Sequence, residues 1–441
     1  MDRTAVKTAT SVLSPALLAV GLGYFMVILD TTIVNVALPA LQADLGASVS
    51  GLQWVVDSYL LMLAALLLTG GMLADRLGAR RVFQLGLGLF VVASVGCGVA
   101  PSTVVLVITR VVQGAGAALT VPASLALLRA AYPNPAARAR AVGVWGGIAG
   151  VAAASGPILG GLLVTAASWR LVFFVNIGLA AMILTARYVP APEARPRHLD
   201  PFAQLTGMIA LGALTLALIE GGHDGVTPLT ASAAAIFVAA SAAFIIIERT
   251  VRSPMLPPAL FRDATFAGGS LVGLLINLGF YGELFVINLY FQQMLGYSAL
   301  VAGLALLPQM SMVIGLVIGG VGLLGLLVTG AATPYVWLVG PLIAAGFGMS
   351  FIMPAATTAV VEAAPADRAG LASGAINAAR QIGGVIGVAL LGALVAGSGS
   401  VIPGLRIALI IAGGAFLLGA AITVVTVDRR QRTCAVTRTV R

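Results

Sequence analysis

The chain has 441 residues, of which 60% are hydrophobic and only 9% are charged, and its mean hydropathy is +1.06. So few charges cannot cover the surface of a soluble protein of this length, so the composition excludes a sizeable soluble domain. The net charge of +9 does not indicate nucleic-acid binding, because no basic face with aromatic or groove-reading partners accompanies it. Apolar runs long enough to span hydrocarbon recur along the chain, which predicts an all-α polytopic membrane protein.

Most of the 24 basic residues lie near the two ends of the chain or in every second loop. This alternation follows the positive-inside rule and predicts that both termini are cytoplasmic. The first apolar run begins near residue 13 and lacks a small-residue cleavage site, so we interpret it as a membrane helix rather than a signal peptide. The 2 cysteines do not suggest a structural disulfide.

The predicted spans form three groups in chain order. Residues 14–189 hold six spans, 203–247 hold two, and 265–427 hold the rest, with polar, proline-containing linkers between the groups. The expected spans are 14–37, 49–72, 82–100, 103–128, 140–165, 169–189, 203–220, 229–247, 265–293, 299–320, 334–360, 370–396 and 404–427.

The first two spans each carry an acidic residue. Asp30 lies in the outer half of the first span and Asp57 lies about two turns inside the second. Charged groups at this depth are costly and usually face a partner or a wet cavity. Trp54 lies one turn before Asp57 and is expected to line the same cavity.

A short charged connection follows the second span and must lie at the membrane surface, because it joins two long apolar runs. We expect it to form a gating loop on the cytoplasmic side, with key positions Gly71, Asp75, Arg76, Gly78, Arg80 and Arg81. A generic positive-inside loop is the alternative interpretation.

The fourth span contains Arg110 about two turns from its start, followed by Gln113 and a run of small residues. The small residues favour a packed, inward-facing helix over an arginine that reaches out to the membrane interface. With alternating topology, Arg110, Asp30 and Asp57 lie at similar depth and can meet across a cavity. Asp30 is then either a structural partner of Arg110 or a group that carries protons, and both interpretations remain open.

The fifth span contains a Gly-Pro pair followed by a Gly-Gly pair, at Gly156, Pro157, Gly160 and Gly161. Proline removes one hydrogen bond of the helix and bends it, while glycines permit close backbone packing. By itself this pattern is also typical of a kinked packing seam in any membrane protein.

Two charged residues lie deep in the later spans. Glu283 is surrounded by apolar and aromatic residues, and either binds substrate or forms a hydrogen bond between helices. Arg380 can pair with Glu283 or with an anionic group of a substrate. The 2 histidines lie far apart and suggest no metal site.

The region from Gly303 to Gly330 has no charged residue and does not resolve into whole spans. If it forms one span, the chain crosses thirteen times and its basic tail lies outside. A fourteenth crossing brings the tail inside, but only about ten residues remain for it, or roughly 15 Å of helix. Because glycine tolerates turns, we expect a hairpin or broken helix at residues 319–322, followed by a short half-helix over 321–330.

Together these motifs resemble the fourteen-helix drug:proton antiporter branch of the major facilitator superfamily. The first-span motif runs Leu29-Asp30-Thr31-Thr32-Ile33-Val34-Asn35-Val36-Ala37-Leu38-Pro39, and the loop motif matches at Gly71, Leu73, Ala74, Asp75, Arg76, Gly78, Arg80 and Arg81. The fourth-span motif matches at Leu106, Arg110, Gln113, Gly114, Gly116, Ala117 and Ala118. The fifth-span motif, typical of exporters, matches at Gly156, Pro157, Gly160 and Gly161, with Ala152 in place of its leading glycine.

The resemblance implies two six-helix bundles with two helices inserted between them, and one span truncated near 320–330. It implies that Asp30 and Arg110 take part in proton coupling and that the Asp75 loop gates the cytoplasmic side. We expect the substrate cavity to be lined by Asp57, Glu283, Arg380, Gln113 and Trp54. The family usually has a charged loop and a full helix where this chain has the join at 320–321.

We therefore expect proton-coupled efflux of amphipathic, often cationic drugs across a bacterial inner membrane, by alternating access of two bundles around a midplane cavity. The expected partners are a small-molecule drug, protons and the lipid bilayer, with a monomeric protein and no cofactor beyond the proton gradient. No nucleophile–base set or metal cluster suggests an enzyme. The alternatives are a dedicated exporter of one natural product and a transport-inactive membrane sensor or scaffold.

Overall fold

The computed structural model describes residues 15–132, 134–183, 200–251, 254, 256–305, 316–330, 333–346, 360, 369–397 and 401–426. These residues form helices joined by short turns and contain no β-strand, so the predicted all-α class is confirmed. Within them, 10 helices are long and apolar enough to cross a membrane. A helix suits hydrocarbon because it satisfies its own backbone hydrogen bonds.

The described helices lie at the predicted spans and several extend beyond them, while the spans predicted over 299–320 and 334–360 lie partly outside the described residues. In chain order they are α1 (Pro15–Leu45), α2 (Val49–Leu77), α3 (Ala79–Gly98), α4 (Thr103–Ala131), α5 (Pro135–Ala166), α6 (Leu171–Ile183), α7 (Pro201–Asp224), α8 (Pro228–Thr250), α9 (Ala264–Leu289), α10 (Ala299–Ala305), α11 (Leu316–Gly325), α12 (Val336–Gly346), α13 (Ala369–Gly397) and α14 (Val401–Thr426). A turn of π-helix, Tyr290–Met294, extends α9, and 3₁₀ turns occupy Pro258–Arg262 and Leu326–Val328.

The chain folds into two compact units. The first comprises Met1–Leu199 and Tyr297–Leu304, and so contains α1 to α6 and most of α10. The second comprises Asp200–Gly296 and Ala305–Arg441, and its helix pair α7 and α8 corresponds to the predicted insertion. In this second unit α7 packs against α8 and α13, while α9 packs against α13 and α14.

Short polar residues fix the helix starts, because their side chains accept hydrogen bonds from amides that have no partner in the first turn. Ser48 accepts from Gly51 at the start of α2, and Ser102 caps α4 in the same way. Asp200 and Asp263 each accept from two amides at the starts of α7 and α9, and Thr227 forms a capping box with Thr230 on α8.

The loop predicted over residues 71–81 is wrong in extent. Helix α2 continues to Leu77 and α3 begins at Ala79, so the turn between them consists of Gly78. Gly78 has a φ of 93°, a conformation that strongly favours glycine. Asp75 and Arg76 are therefore in the last turn of α2, while Arg80 and Arg81 lie in the first turn of α3.

The break predicted at residues 319–322 is also wrong. Residues 316–325 form one continuous helix, α11, which passes through all three glycines there. A Cβ atom on Gly320 would lie 3.0 Å from the Leu417 side chain, and one on Gly322 would overlap the backbone at Ala345. The glycines thus allow α11 to approach α14 and α12, which is the role of small residues in membrane helices. The half-helix predicted over 321–330 corresponds to the second half of α11 and the 3₁₀ turn Leu326–Val328, while residues 306–315 lie outside the described residues.

Candidate proton-coupling and substrate site

A buried ion pair joins α1 and α4 in the first unit. Arg110 Nη1 donates to Asp30 Oδ2, and the two residues are 1% and 0% exposed. Arg110 Nε donates to the backbone carbonyl of Val55 on α2 at 3.0 Å. The arginine and aspartate that the sequence placed at similar depth are therefore in direct contact.

Two amide side chains complete the hydrogen bonding of Asp30. Gln113 on α4 donates to Asp30 Oδ1 at 2.8 Å, and Asn176 on α6 donates to the same oxygen at 2.9 Å. Gln113 also accepts from Arg110 Nη1 at 2.8 Å, so its amide bridges both members of the pair. The Asp30 carboxylate therefore accepts hydrogen bonds from three side chains.

Helix α3 contributes a second layer of polar groups. Ser94 Oγ accepts from Gln113 at 2.9 Å and lies 3.3 Å from Asn176 Nδ2, while it donates to the carbonyl of Phe90. Cys97 Sγ lies 3.5 Å from Gln113 Oε1. We call Asp30, Ser94, Arg110, Gln113 and Asn176 the Asp30 cluster. All five are fully buried, and they come from α1, α3, α4 and α6.

Aromatic rings close the cluster on the side of the guanidinium. The Tyr59 ring of α2 lies with its centroid 4.2 Å from Arg110 Cζ, and the Phe173 ring of α6 lies 5.9 Å away. Tyr59 also donates its hydroxyl to the carbonyl of Val27 on α1 at 3.1 Å. A guanidinium over an aromatic face is stabilised by a cation–π interaction, which helps to hold Arg110 away from water.

The position of Arg110 depends on glycines of α4. A Cβ atom on Gly114 would overlap the carbonyl oxygen of Tyr59, and one on Gly116 would lie 2.7 Å from the backbone nitrogen of Phe90. Helix α4 therefore contacts the backbones of α2 and α3 directly, at the level of the cluster. The small residues after Arg110 explain how a charged helix fits between two neighbours.

The glycines of α5 face two different helices. Cβ atoms on Gly156 and Gly160 would overlap or crowd Thr32 and Ile33 of α1, immediately after Asp30. One on Gly161 would lie 2.5 Å from the Cα of Leu300 in α10. Pro157 is buried within α5, which is 32 residues long and continues past it. This motif therefore packs against the segment that carries Asp30.

Asp57 lies in α2 and makes no hydrogen bond to the Asp30 cluster. It is 0% exposed, and neither of its carboxylate oxygens has a hydrogen-bond partner among the described residues. Trp54, one turn earlier on α2, is half-buried. Gln113 was grouped with these residues in the predicted cavity, whereas the structure places its amide in the Asp30 cluster.

The charged residues around Gly78 lie at the carboxyl end of α2 and the amino end of α3. Arg76 and Arg81 are exposed, and Gly71, Asp75 and Arg80 are half-buried. Arg129 in the last turn of α4 is attracted by Asp75 and repelled by Arg138 of α5. The Asp75 carboxylate is thus near enough to the end of α4 to attract Arg129.

In the second unit, Glu283 and Arg380 lie on α9 and α13, which pack closely. Glu283 is 1% exposed, and Arg380 is half-buried, with its Nη1 donating to Asn377 at 3.3 Å. A Cβ atom on Gly273 would lie 2.9 Å from the Arg380 side chain, and one on Gly383 would overlap the backbone of α9. Among the described residues no group of three potential metal ligands occurs.

The sequence analysis missed several polar contacts. Asp44, in the last turn of α1, accepts from Trp169 at 2.9 Å and from Arg170 at 2.5 Å. Ser94 and Asn176 of the Asp30 cluster were also missed, because neutral polar residues are ordinary in membrane helices. The available signal for Asn176 was its position, about two turns after Arg170 on an otherwise apolar helix.

Comparison with known proteins identifies the family. The sequence profile of the Major Facilitator Superfamily matches residues 20–321 and 308–437. The chain belongs to the Major Facilitator Superfamily. It is a membrane-spanning transporter, so the expectation that it is not an enzyme is confirmed.

Relatives of this superfamily member match over most of their length. It is 37% identical over 446 residues to the Methylenomycin A resistance protein of Streptomyces coelicolor, covering 95% of this chain and 93% of that one. It is 38% identical over 422 residues to the Multidrug resistance protein Stp of Mycobacterium tuberculosis, covering 90% and 77%. These relatives confirm the resemblance to the drug exporter branch.

A solved structure supports the fold of this superfamily member. A POT family transporter in complex with a thioalcohol-conjugated peptide has a TM-score of 0.67 and covers 94% of this chain and 96% of its own. Its sequence identity is 15%, so this likeness concerns the fold alone.

Proposed function

We propose that this protein exports amphipathic antibiotics or other drugs across the bacterial cell membrane in exchange for protons. The buried Asp30–Arg110 pair carries the proposal, because a carboxylate at this depth is the group whose charge a proton can cancel. The names of the full-length relatives, which are resistance proteins, support a drug as the cargo. No cofactor is required, since the proton gradient supplies the energy, and we expect a monomer to suffice.

Coupling follows from the bonds that the Asp30 charge makes. Protonating Asp30 removes its attraction for Arg110 and one reason for α1 and α4 to remain in contact. A proton entering from one side of the membrane can therefore favour one conformation, and its release on the other side can favour the next. The glycines at positions 156 and 160 place α5 in direct contact with α1, so a movement of α1 would also displace α5.

Cargo recognition is assigned to the charged residues outside the Asp30 cluster. Asp57 is buried without a hydrogen-bond partner in the described part of the chain, so a cationic drug would supply a positive charge to pair with its carboxylate. Trp54, Glu283 and Arg380 remain proposed cavity residues. The charged residues around Gly78, with Asp75 near Arg129, are proposed to control opening on the cytoplasmic side.

The proposed location is the inner membrane with both termini in the cytoplasm, as the arginine distribution predicts. The chain has 2 cysteines, and Cys97 is buried, which leaves Cys434 in the basic tail as the target for a thiol reagent. An impermeant maleimide should label Cys434 in opened membranes but not in intact cells. Labelling in intact cells would contradict the cytoplasmic tail.

An export assay tests the function itself. The gene is expressed in an efflux-deficient bacterial host, and resistance is measured against a panel of cationic, neutral and anionic compounds. We expect raised resistance to several amphipathic cations, and loss of dye efflux when an uncoupler collapses the proton gradient. Efflux that persists without the gradient would contradict proton coupling.

A dedicated exporter of one natural product is the second candidate. The name of one relative, a methylenomycin A resistance protein, raises it, but the 38% identity to a multidrug resistance protein means that the relatives do not favour it. Resistance to one antibiotic in the same panel, with no efflux of unrelated dyes, would support this candidate over a multidrug exporter. Nearly full-length similarity to resistance proteins does not favour a transport-inactive sensor.

A further inference from the structure

The Asn176 side chain is completely buried, and its two polar atoms have different surroundings. Its Nδ2 donates to Asp30 Oδ1 at 2.9 Å and lies 3.3 Å from Ser94 Oγ. Its carbonyl Oδ1 has no hydrogen-bond partner among the described residues. Buried polar atoms normally find a partner, so this oxygen requires an explanation.

The charge on Asp30 explains why the carbonyl points away. An ionised carboxylate only accepts hydrogen bonds, so a neighbouring amide must present its NH₂ group. Asn176 therefore turns its nitrogen toward Asp30, and its oxygen is left without a donor. The arrangement suits an Asp30 whose Oδ1 carries no proton.

Protonation of Asp30 on Oδ1, the oxygen that faces Asn176, reverses this requirement. A neutral carboxyl carries an O–H that needs an acceptor. A half-turn about the Asn176 χ2 torsion would present Oδ1 to that O–H, and such terminal amide torsions have two comparable orientations. Gln113 is less suited to the same change, because its Oε1 already accepts from Arg110 while its Nε2 contacts both Asp30 and Ser94.

We propose that Asn176 is the positioning residue that reads the protonation state of Asp30. Its amide donates to the carboxylate when Asp30 is charged and accepts from the carboxylic acid when Asp30 is protonated. The proton comes from water and forms an O–H bond on Asp30, while no bond of Asn176 forms or breaks. The proposal rests on the proposed proton coupling through Asp30.

The rotation has a consequence for helix contacts. In the charged state Asn176 Nδ2 connects Asp30 of α1 with Ser94 of α3, although Asn176 itself is on α6. Rotation moves that nitrogen away from both oxygens. Protonation of Asp30 on α1 therefore changes the hydrogen bonds that hold α6 against α1 and α3. Helix α6 responds in this way although it has no charged residue in its described span, Leu171–Ile183.

Other titratable groups near Asp30 are few. Arg110 faces it from α4, Cys97 of α3 contacts Gln113, and the Tyr59 ring of α2 contacts Arg110. Asp57 of α2 makes no hydrogen bond to the cluster. Helix α5 places glycines and apolar groups against α1 at this level. A proton-dependent signal that Asp30→Asn removes is therefore assigned to Asp30.

Infrared difference spectroscopy on the full-length protein in lipid bilayers tests the proposal. Spectra at acidic minus neutral pH record the C=O stretch of each carboxyl that gains a proton, and Asp30→Asn identifies the Asp30 band. Asn176→Leu removes both donor and acceptor at similar volume, whereas the hydroxyl of Asn176→Thr can do both. Asn35→Leu is the matched control, since Asn35 is a buried asparagine of α1 whose Nδ2 donates to Thr31 at 3.0 Å.

We expect Asn176→Leu to move the Asp30 band to higher frequency, because the acid loses its acceptor. Gradient-driven export of a cationic dye should fall about tenfold relative to downhill flux, the scale of one lost hydrogen bond. Asn176→Thr should keep part of both properties, and Asn35→Leu should keep both. If Asn176→Leu does not accumulate in the membrane, Asn176→Ala provides the same contrast with Asn176→Thr.

A band and a flux ratio in Asn176→Leu or Asn176→Ala equal to those of Asn35→Leu would overturn the role of Asn176, while leaving Asp30 as the coupling residue. The proposed function itself would be overturned if Asp30→Asn removed no carboxyl band and still exported the dye against the gradient. The two failures are therefore distinguishable in one set of variants.

Discussion

Asp30 and Asp57 lie on consecutive helices of the same unit and are both 0% exposed, yet their surroundings differ completely. Asp30 receives hydrogen bonds from Arg110, Gln113 and Asn176, which come from two other helices. Asp57 has no hydrogen-bond partner within the described residues. Burial alone therefore does not define the role of a membrane carboxylate.

The difference fits the proposed roles, in which Asp30 holds neighbouring helices together and Asp57 binds a ligand. Removing a charge from the Asp30 cluster disturbs several helices, because each donor there is itself buried and needs an acceptor. Removing the charge of Asp57 leaves no protein donor without its acceptor. Variants at the two sites should therefore have different effects on stability and transport, and four measurements test this comparison.

The largest effect is expected for Asp30→Asn. It removes the group that we propose takes the proton, so gradient-driven export in proteoliposomes should fall to the level seen without a gradient, while drug binding remains. Asp44→Asn is the matched control, because Asp44 is a second α1 carboxylate paired with an arginine, but is 47% exposed. Export against a gradient at the parental rate by Asp30→Asn would show that Asp30 does not couple.

Arg110→Met should cost stability. It leaves the Asp30 charge buried with its main partner gone, a change that typically costs about 3–5 kcal/mol. We expect a lower Tm in detergent, recovered in large part by the double variant Asp30→Asn/Arg110→Met, which removes both charges. A double variant no more stable than Arg110→Met would indicate that packing of the arginine, not its charge, holds α4 in place.

Gly114→Ala should have a smaller effect through geometry. Its Cβ would overlap the Tyr59 carbonyl and push α4 from α2, which we expect to cost about 1–3 kcal/mol and to reduce export. Gly88→Ala on α3 provides the control, because a Cβ there meets nothing within 4 Å. Equal Tm values for the two variants would contradict the close contact of α4 with α2.

The sequence predicted those residues of the site whose types, the charged ones, are rare in membrane helices. Charged residues such as Asp30 and Arg110 are conspicuous in apolar runs, so their pairing could be anticipated from similar depth. Asn176 and Ser94 could not be singled out, because a neutral polar residue in a helix gives no sign of its neighbours.

The fold shows the same limit. Span positions follow from hydropathy and were predicted closely, whereas the meaning of glycine depends on what lies beside it. Gly320 and Gly322 were interpreted as a turn, but they lie in a continuous helix against α14 and α12. Gly78 does form a turn, and charged residues on both sides of it gave the distinguishing signal.

Asp57→Asn is expected to have the smallest and most selective effect. Because Asp57 has no hydrogen-bond partner in the described structure, an amide at this position should leave the Tm unchanged or slightly raised. Resistance to cationic drugs should fall several-fold, up to about tenfold for the loss of one charged contact, while resistance to neutral drugs changes little. The inhibitory concentrations of one cationic and one neutral drug give the ratio of the two losses in resistance directly. Trp54→Phe is the control, since it changes the shape of the proposed cavity beside Asp57 without changing its charge. An equal loss for both drugs would mean that Asp57 supports the structure as Asp30 does, and the contrast between the two carboxylates would then lie in their partners alone.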